Sequence, residues 1–164
     1  MAVVRRLALA LVLAAVAPAP RPLAAQSPAD TAAVLATVQE LFDAMAARDS
    51  VALASLVTRP GVFAVVVVDH DTVITVQHQS LATLIDRIGE PGPALLERSW
   101  EPRVMIDGPF AAVWTPYDFH IGGRFNHCGV DVFTLARDAG RWRVTGGSYT
   151  IQQQECAPSP LGAP

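Results

Sequence analysis

Residues 111–137 read AAVWTPYDFHIGGRFNHCGVDVFTLAR, and the alternation in this stretch decides the fold. Two β-rich runs flank Gly122-Gly123, the pattern of a tight antiparallel hairpin. Outward from it, ERSWEPRVMI leads into a turn at Asp107-Gly108-Pro109-Phe110. RWRVTGGSYTIQ follows a turn at Asp138-Ala139-Gly140. The second half of the chain therefore reads as a four-stranded meander.

Upstream, Val34, Val38, Leu41, Phe42 and Met45 recur at helical spacing, with Ser27 or Asp30 placed to cap the helix. Ser50 is placed to cap a second, short helix, VALASLV, ended by Pro60-Gly61. VFAVVVV and TVITVQ form a hairpin around Asp69-His70-Asp71, and Ser80 caps a third helix, LATLIDRIG. The order is helix, helix, hairpin, helix, four strands. Helices massed against a bent antiparallel sheet make an α+β domain over residues 26–156, followed by a disordered tail over 157–164.

Residues 1–25 have the form of a signal peptide. Arg5 and Arg6 precede an apolar run from Leu7 to Ala17, and Leu23-Ala24-Ala25 offers a cleavage site. The run is shorter than the ~20 residues of a spanning helix, so no stable membrane anchor is expected. Export to a periplasmic or secreted location leaves nine arginines against fifteen acids, a net charge of −6. There is no lysine, which excludes Schiff-base chemistry, and no basic stripe, which disfavours nucleic acid as a partner. An oxidising compartment makes Cys128 and Cys156 candidates for a disulfide, with a buried free thiol as the alternative. No cofactor motif is found. Asp69-His70-Asp71 reads as turn polarity rather than a metal site, because adjacent residues in a tight turn cannot converge on one ion.

Pairing the strands through their turns assigns side chains to faces. With Arg137 set opposite Arg141, one face collects Trp100, Tyr117, Asn126, Cys128 and Thr150 among apolar residues. It is the face expected to pack on the helices and to bind a small apolar ligand. The other face collects Trp114, Asp118, His120, His127, Asp131, Phe133, Tyr149 and Ile151, as a solvated or homodimer-forming surface would. The catalytic candidates Asp118, His127 and Asp131 thus point away from the helices. A β-bulge would exchange the two sets, and Gly129 and Gly146-Gly147 are the positions where a bulge or bend could occur.

The chain resembles the nuclear transport factor 2-like superfamily, especially its polyketide-cyclase-like (SnoaL-like) members. The resemblance rests on TAAVLATVQELFDAMAARDSVALASLV and on GPFAAVWTPYDFHIGGRFNHCGVDVFTL with GRWRVTGGSYT. It implies a cystatin-like cone whose concave sheet face and helices enclose a pocket, often dimerised through the outer face. Relatives of this kind include isomerases, dehydratases, cyclases and plain binding domains, so fold transfers and activity does not. Three functions follow as expectations. They are an exported small-molecule-binding domain, an acid–base enzyme of isomerase, dehydratase or cyclase type, and a structural or dimerisation module.

Overall fold

The computed structural model describes residues 27–164, so the expected signal peptide lies outside the described residues. Helix α1 (Pro28–Ala46) buries the expected stripe of Val34, Val38, Leu41, Phe42 and Met45. Ser27 occupies its cap position without a side-chain bond, while Asp30 places an acid in the first turn, where the helix dipole favours it. Helix α2 (Ser50–Leu56) is capped one residue earlier than the sequence suggests. Asp49, not Ser50, accepts from the backbone N–H groups of Val51 and Ala52 at 3.0 and 2.8 Å. A carboxylate next to the helix start wins over the hydroxyl because it accepts two N–H groups at once. Helix α3 (Leu81–Gly89) is capped by Ser80, as expected, through the N–H of Thr83.

Strands β1 (Val57–Asp69) and β2 (Thr72–Ser80) form the first hairpin, turned at His70 and Asp71, both with positive φ. The expected strand ERSWEPRVMI is two strands, β3 (Leu95–Ser99) and β4 (Arg103–Asp107). Both pair with β5 (Phe110–Ile121), at opposite ends. The break falls at Glu101, whose φ is 47°, and Pro102, which has no N–H for a ladder. Strands β6 (Arg124–Asp138) and β7 (Arg141–Ile151) complete the sheet.

The sheet runs β2-β1-β7-β6-β5-β3 and does not close on itself. It is mixed rather than wholly antiparallel, since β1 lies parallel to β7. Three helices pack on its concave face, an α+β cone of the kind expected. The core is anchored by Phe133, which meets Phe42 and Phe63 edge-on at centroid distances of 5.8 and 5.9 Å. Such pairs add roughly 0.5–1.5 kcal/mol each beyond area burial.

Three one-residue irregularities reset the faces. The break at 100–102 places Glu97 opposite Phe119, and so on the concave side. Asn126 is an extra residue in β6: Phe125 pairs with His120, but His127 pairs with Phe119. Thr145 is extra in β7, next to the expected glycine pair, so that Val144 pairs with Leu135 while Gly146 pairs with Thr134. The third turn is also one residue tighter than expected, with Asp138 rather than Arg137 opposite Arg141. Each insertion flips every later side chain of its strand. Gly129 is not a bulge. A Cβ there would meet the Thr150 carbonyl oxygen at 2.1 Å, so glycine is required for β6 and β7 to approach.

Cys128 and Cys156 are disulfide-bonded, with Cα atoms 6.0 Å apart. Because Cys128 lies on the convex side of β6, the bond ties the chain end to that face. There Arg98 donates to the Gly162 carbonyl at 3.0 Å, and Ser159 hydrogen-bonds Asp118. Among the described residues, no helix is long and apolar enough to cross a membrane.

Candidate functional site

A cavity of about 350 Å³ opens between α3, the end of α1 and the concave sheet, within the size range of ligand pockets. Its walls are mostly apolar: Leu41, Met45, Phe63, Leu84, Phe119 and Phe133 are among them. Into this lining the strands project Glu97 from β3, Tyr117 from β5, His127 and Asp131 from β6, and Tyr149 from β7. Gln79 enters from β2, and Arg48 and Arg87 from the ends of α1 and α3.

The centre of the polar set is a pair of carboxyls. Glu97 and Asp131 lie within hydrogen-bonding reach of each other. Asp131 is 4% exposed, and its Oδ2 receives no hydrogen bond from any donor of the described chain. Burial pushes the Glu97 carboxyl up to about 7, opposed by the hydrogen bond from Asp131. Burial, then the charge of Glu97, raises Asp131 well above the ordinary carboxylate range. Two neighbouring carboxyls in an apolar wall cannot both ionise, so the pair holds one proton at neutral pH. The two carboxyls share that proton, and burial raises both above the ordinary carboxylate range.

The other polar groups are partly committed. The Tyr117 hydroxyl donates to the Thr150 carbonyl at 2.7 Å, and burial together with the nearby acids raises its pKa. Tyr149 donates to Gln79 Oε1 at 3.2 Å, which leaves Gln79 Nε2 buried without an acceptor. His127 packs on Phe119 at 5.0 Å and meets Tyr117 edge-on at 5.6 Å. Its Nδ1 lies 2.8 Å from Asn126 Oδ1, and burial lowers its pKa to about 4, so the ring is neutral at pH 7.

The sequence-predicted residues divide sharply. Of the five expected ligand contacts, Tyr117 lines the cavity. Trp100 sits at the break between β3 and β4, and Asn126 is the exposed bulge residue. Cys128 is on the convex face in the disulfide, and Thr150 serves through its carbonyl and through Oγ1, which accepts from the Val130 N–H. Of the three catalytic candidates, His127 and Asp131 face inward, against expectation, because of the extra residue at Asn126. Phe133, Tyr149 and Ile151, also expected outside, line the cavity for the same kind of reason.

Asp118 does lie on the convex face, but it is buried rather than solvated. Arg98 grips it through Nε and Nη2 at 2.8 and 2.6 Å. Burial pushes its pKa up, and the hydrogen bonds and charge of Arg98 outweigh that and hold it below the ordinary value. His120 Nε2 stands 3.2 Å from Asp118 Oδ1, yet neither of its ring nitrogens makes a hydrogen bond. This cluster does not reach the cavity. Glu97, Tyr149, Gln79, Arg48 and Arg87 are the lining residues that strand alternation failed to find. Pro102 was the one signal for Glu97, as a residue that cannot sit inside a paired strand. Among the described residues, no group of three His, Cys, Asp or Glu is arranged to hold a metal.

No protein-family profile matches the sequence, and no curated protein matches it. Solved structures do match. A nuclear transport factor 2-like protein from Cytophaga hutchinsonii superposes with a TM-score of 0.63 at 15% identity, covering 77% of this chain and 100% of that one. One of unknown function from Pseudomonas putida gives 0.63 at 12% identity, with 80% and 99% covered. Another, described provisionally as a dehydratase of the same family, from Streptomyces avermitilis, gives 0.59 at 16% identity, with 76% and 96% covered. Identities this low carry architecture and not chemistry. The chain thus has the nuclear transport factor 2-like, cystatin-like fold that its sequence resembles.

Proposed function

We propose that this is an exported acid–base site: the cone takes up a small, largely apolar molecule, and the Glu97–Asp131 pair moves a proton on it. The observation that supports this is the pair itself, two carboxyls facing one apolar cavity with no cation of the described chain bound to either. A carboxylate raised to about 7 by burial is matched to proton abstraction near neutral pH. Export is supported by the form of residues 1–25 and by the disulfide, which suits an oxidising compartment.

In this reading Glu97 takes a proton from the carbon beside a ligand carbonyl. The electron pair moves onto the carbonyl oxygen, which accepts a hydrogen bond from protonated Asp131 or from the free Nε2–H of Gln79. Return of the proton to a different carbon is an isomerisation, and its use to expel a β-hydroxyl as water is a dehydration. Tyr149 acts by fixing the orientation of Gln79. Binding without reaction is the second reading, favoured by the neutral His127 and the committed Tyr117 hydroxyl.

Hydrogen–deuterium exchange into small apolar ketones such as cyclohexanone and acetophenone, followed by proton NMR, separates the two. The acid–base reading expects exchange about 100-fold or more above buffer, rising with pH to a plateau above about 7 and lost in Glu97→Gln. Binding of the same ketones with no exchange above buffer would leave a binding protein.

A further inference from the structure

We propose that the molecule held in the cone is a small amphipathic acid, whose apolar body lies against the cavity walls and whose anionic group is taken at the mouth by Arg87. This rests on the acid–base reading of the cavity floor and adds the chemistry of the ligand's other end.

The charges in the cavity are not evenly spread. Its acids, Glu97 and Asp131, come from the sheet, and Asp131 is buried. Its cations come from the helix ends: Arg87 is exposed in the last turn of α3, and Arg48 follows α1. Arg48 is fixed in place, donating to the backbone carbonyls of Glu90 and Pro93 at 2.8 Å each. Those acceptors are neutral, so its charge stays at the mouth. The Arg87 guanidinium makes no hydrogen bond or ion pair among the described residues, and its planar fork is free to grip a carboxylate through two N–H groups.

The two ends line one cavity of about 350 Å³, within the reach of one small molecule. An anionic group placed at the floor would meet the charge of Glu97. Placed at the mouth it meets two arginines and leaves the uncharged carbonyl or hydroxyl end for the carboxyl pair.

Isothermal titration with phenylbutyrate, phenylbutanol and phenylbutylamine tests the proposal, since the three share a body and differ in the charge of one end. The wild type is expected to bind phenylbutyrate about tenfold more tightly than the other two, with affinity falling as salt rises. Arg87→Gln is expected to lose that preference while its affinity for phenylbutanol changes less than about twofold. Arg87 also suits the carbonyl end of α3, so thermal melting of Arg87→Gln is measured alongside. A lost preference in a variant that melts as the wild type does assigns the effect to the ligand. Tightest binding of the amine, equal binding of all three, or a preference that survives Arg87→Gln would overturn the proposal. The ketone exchange assay reads the carboxyl pair separately: exchange that persists without anion preference leaves the acid–base reading standing and removes this one.

Discussion

Glu97 and Asp131 sit on β3 and β6, strands that never pair, and meet across β5. Glu97 is opposite Phe119 on one edge of β5 and Asp131 opposite Thr115 on the other, with Tyr117 between them on the concave side. Their interaction is a tertiary contact in the strict sense: no ladder hydrogen bond enforces it, and each carboxyl owes its position to a separate interruption of strand pairing.

That contact has a cost that depends on pH. A carboxyl whose folded pKa is raised binds its proton more tightly folded than unfolded, so stability is greatest below the unfolded value and is lost as pH rises through the folded one. For Glu97 the window runs from 4.5 to about 7. Chemical denaturation across it should show Glu97→Gln gaining stability relative to wild type as pH rises, by ~1–3 kcal/mol at pH 8. A constant difference between the two proteins at pH 5 and pH 8 would show that the carboxyl is not desolvated.

His127 pulls the other way. Its folded pKa is lowered from 6.5 to about 4 by burial, so the unfolded chain binds the extra proton and stability rises with pH across that window. Replacing His127 with Gln should flatten the acid limb of the stability profile below pH 6.5. An NMR titration of the ring should find it neutral at pH 6, and a protonated ring at that pH would contradict its packing between Phe119 and Tyr117.

Gly129 joins the core to the site. In Gly129→Ala the new methyl would stand 2.1 Å from the Thr150 carbonyl oxygen, the acceptor of the Tyr117 hydroxyl. The strand must move, and a loss of about 3 kcal/mol or more is expected in urea unfolding. Full stability in this variant would mean that β6 and β7 do not approach as described.

The disulfide closes a 28-residue separation. Replacing both cysteines with serine should cost roughly 2–4 kcal/mol, measured by denaturant unfolding. The ketone exchange rate should be preserved, because Cys128 and Cys156 lie on the face away from the cavity.

On that same face Asp118→Asn strips Arg98 of its buried partner. A loss of ~3 kcal/mol is expected in the same measurement, with ligand binding unchanged. Weakened ligand binding at full stability would place Asp118 in the functional site after all.

The helices, the hairpins and the run of the chain were legible in the sequence, because they depend on local things: the spacing of Val34, Val38, Leu41 and Met45, the cap at Ser80, the glycines at 122 and 123. So was the inward set of β5, where Val113, Thr115, Tyr117 and Phe119 alternate without interruption. What alternation could not give was the parity of the strands beside it. One extra residue at Asn126, another at Thr145 and a break at Pro102 exchange the two faces of β6, of half of β7 and of β3. A strand's period of two is a property of its own residues, and sequence determines it. Where a bent sheet must insert a residue to stay wrapped around Phe42 and Phe133 is set by packing between distant elements, and only the tertiary structure decides it. That is why the chain could be read as a cone from its sequence, while the acid pair inside it could not.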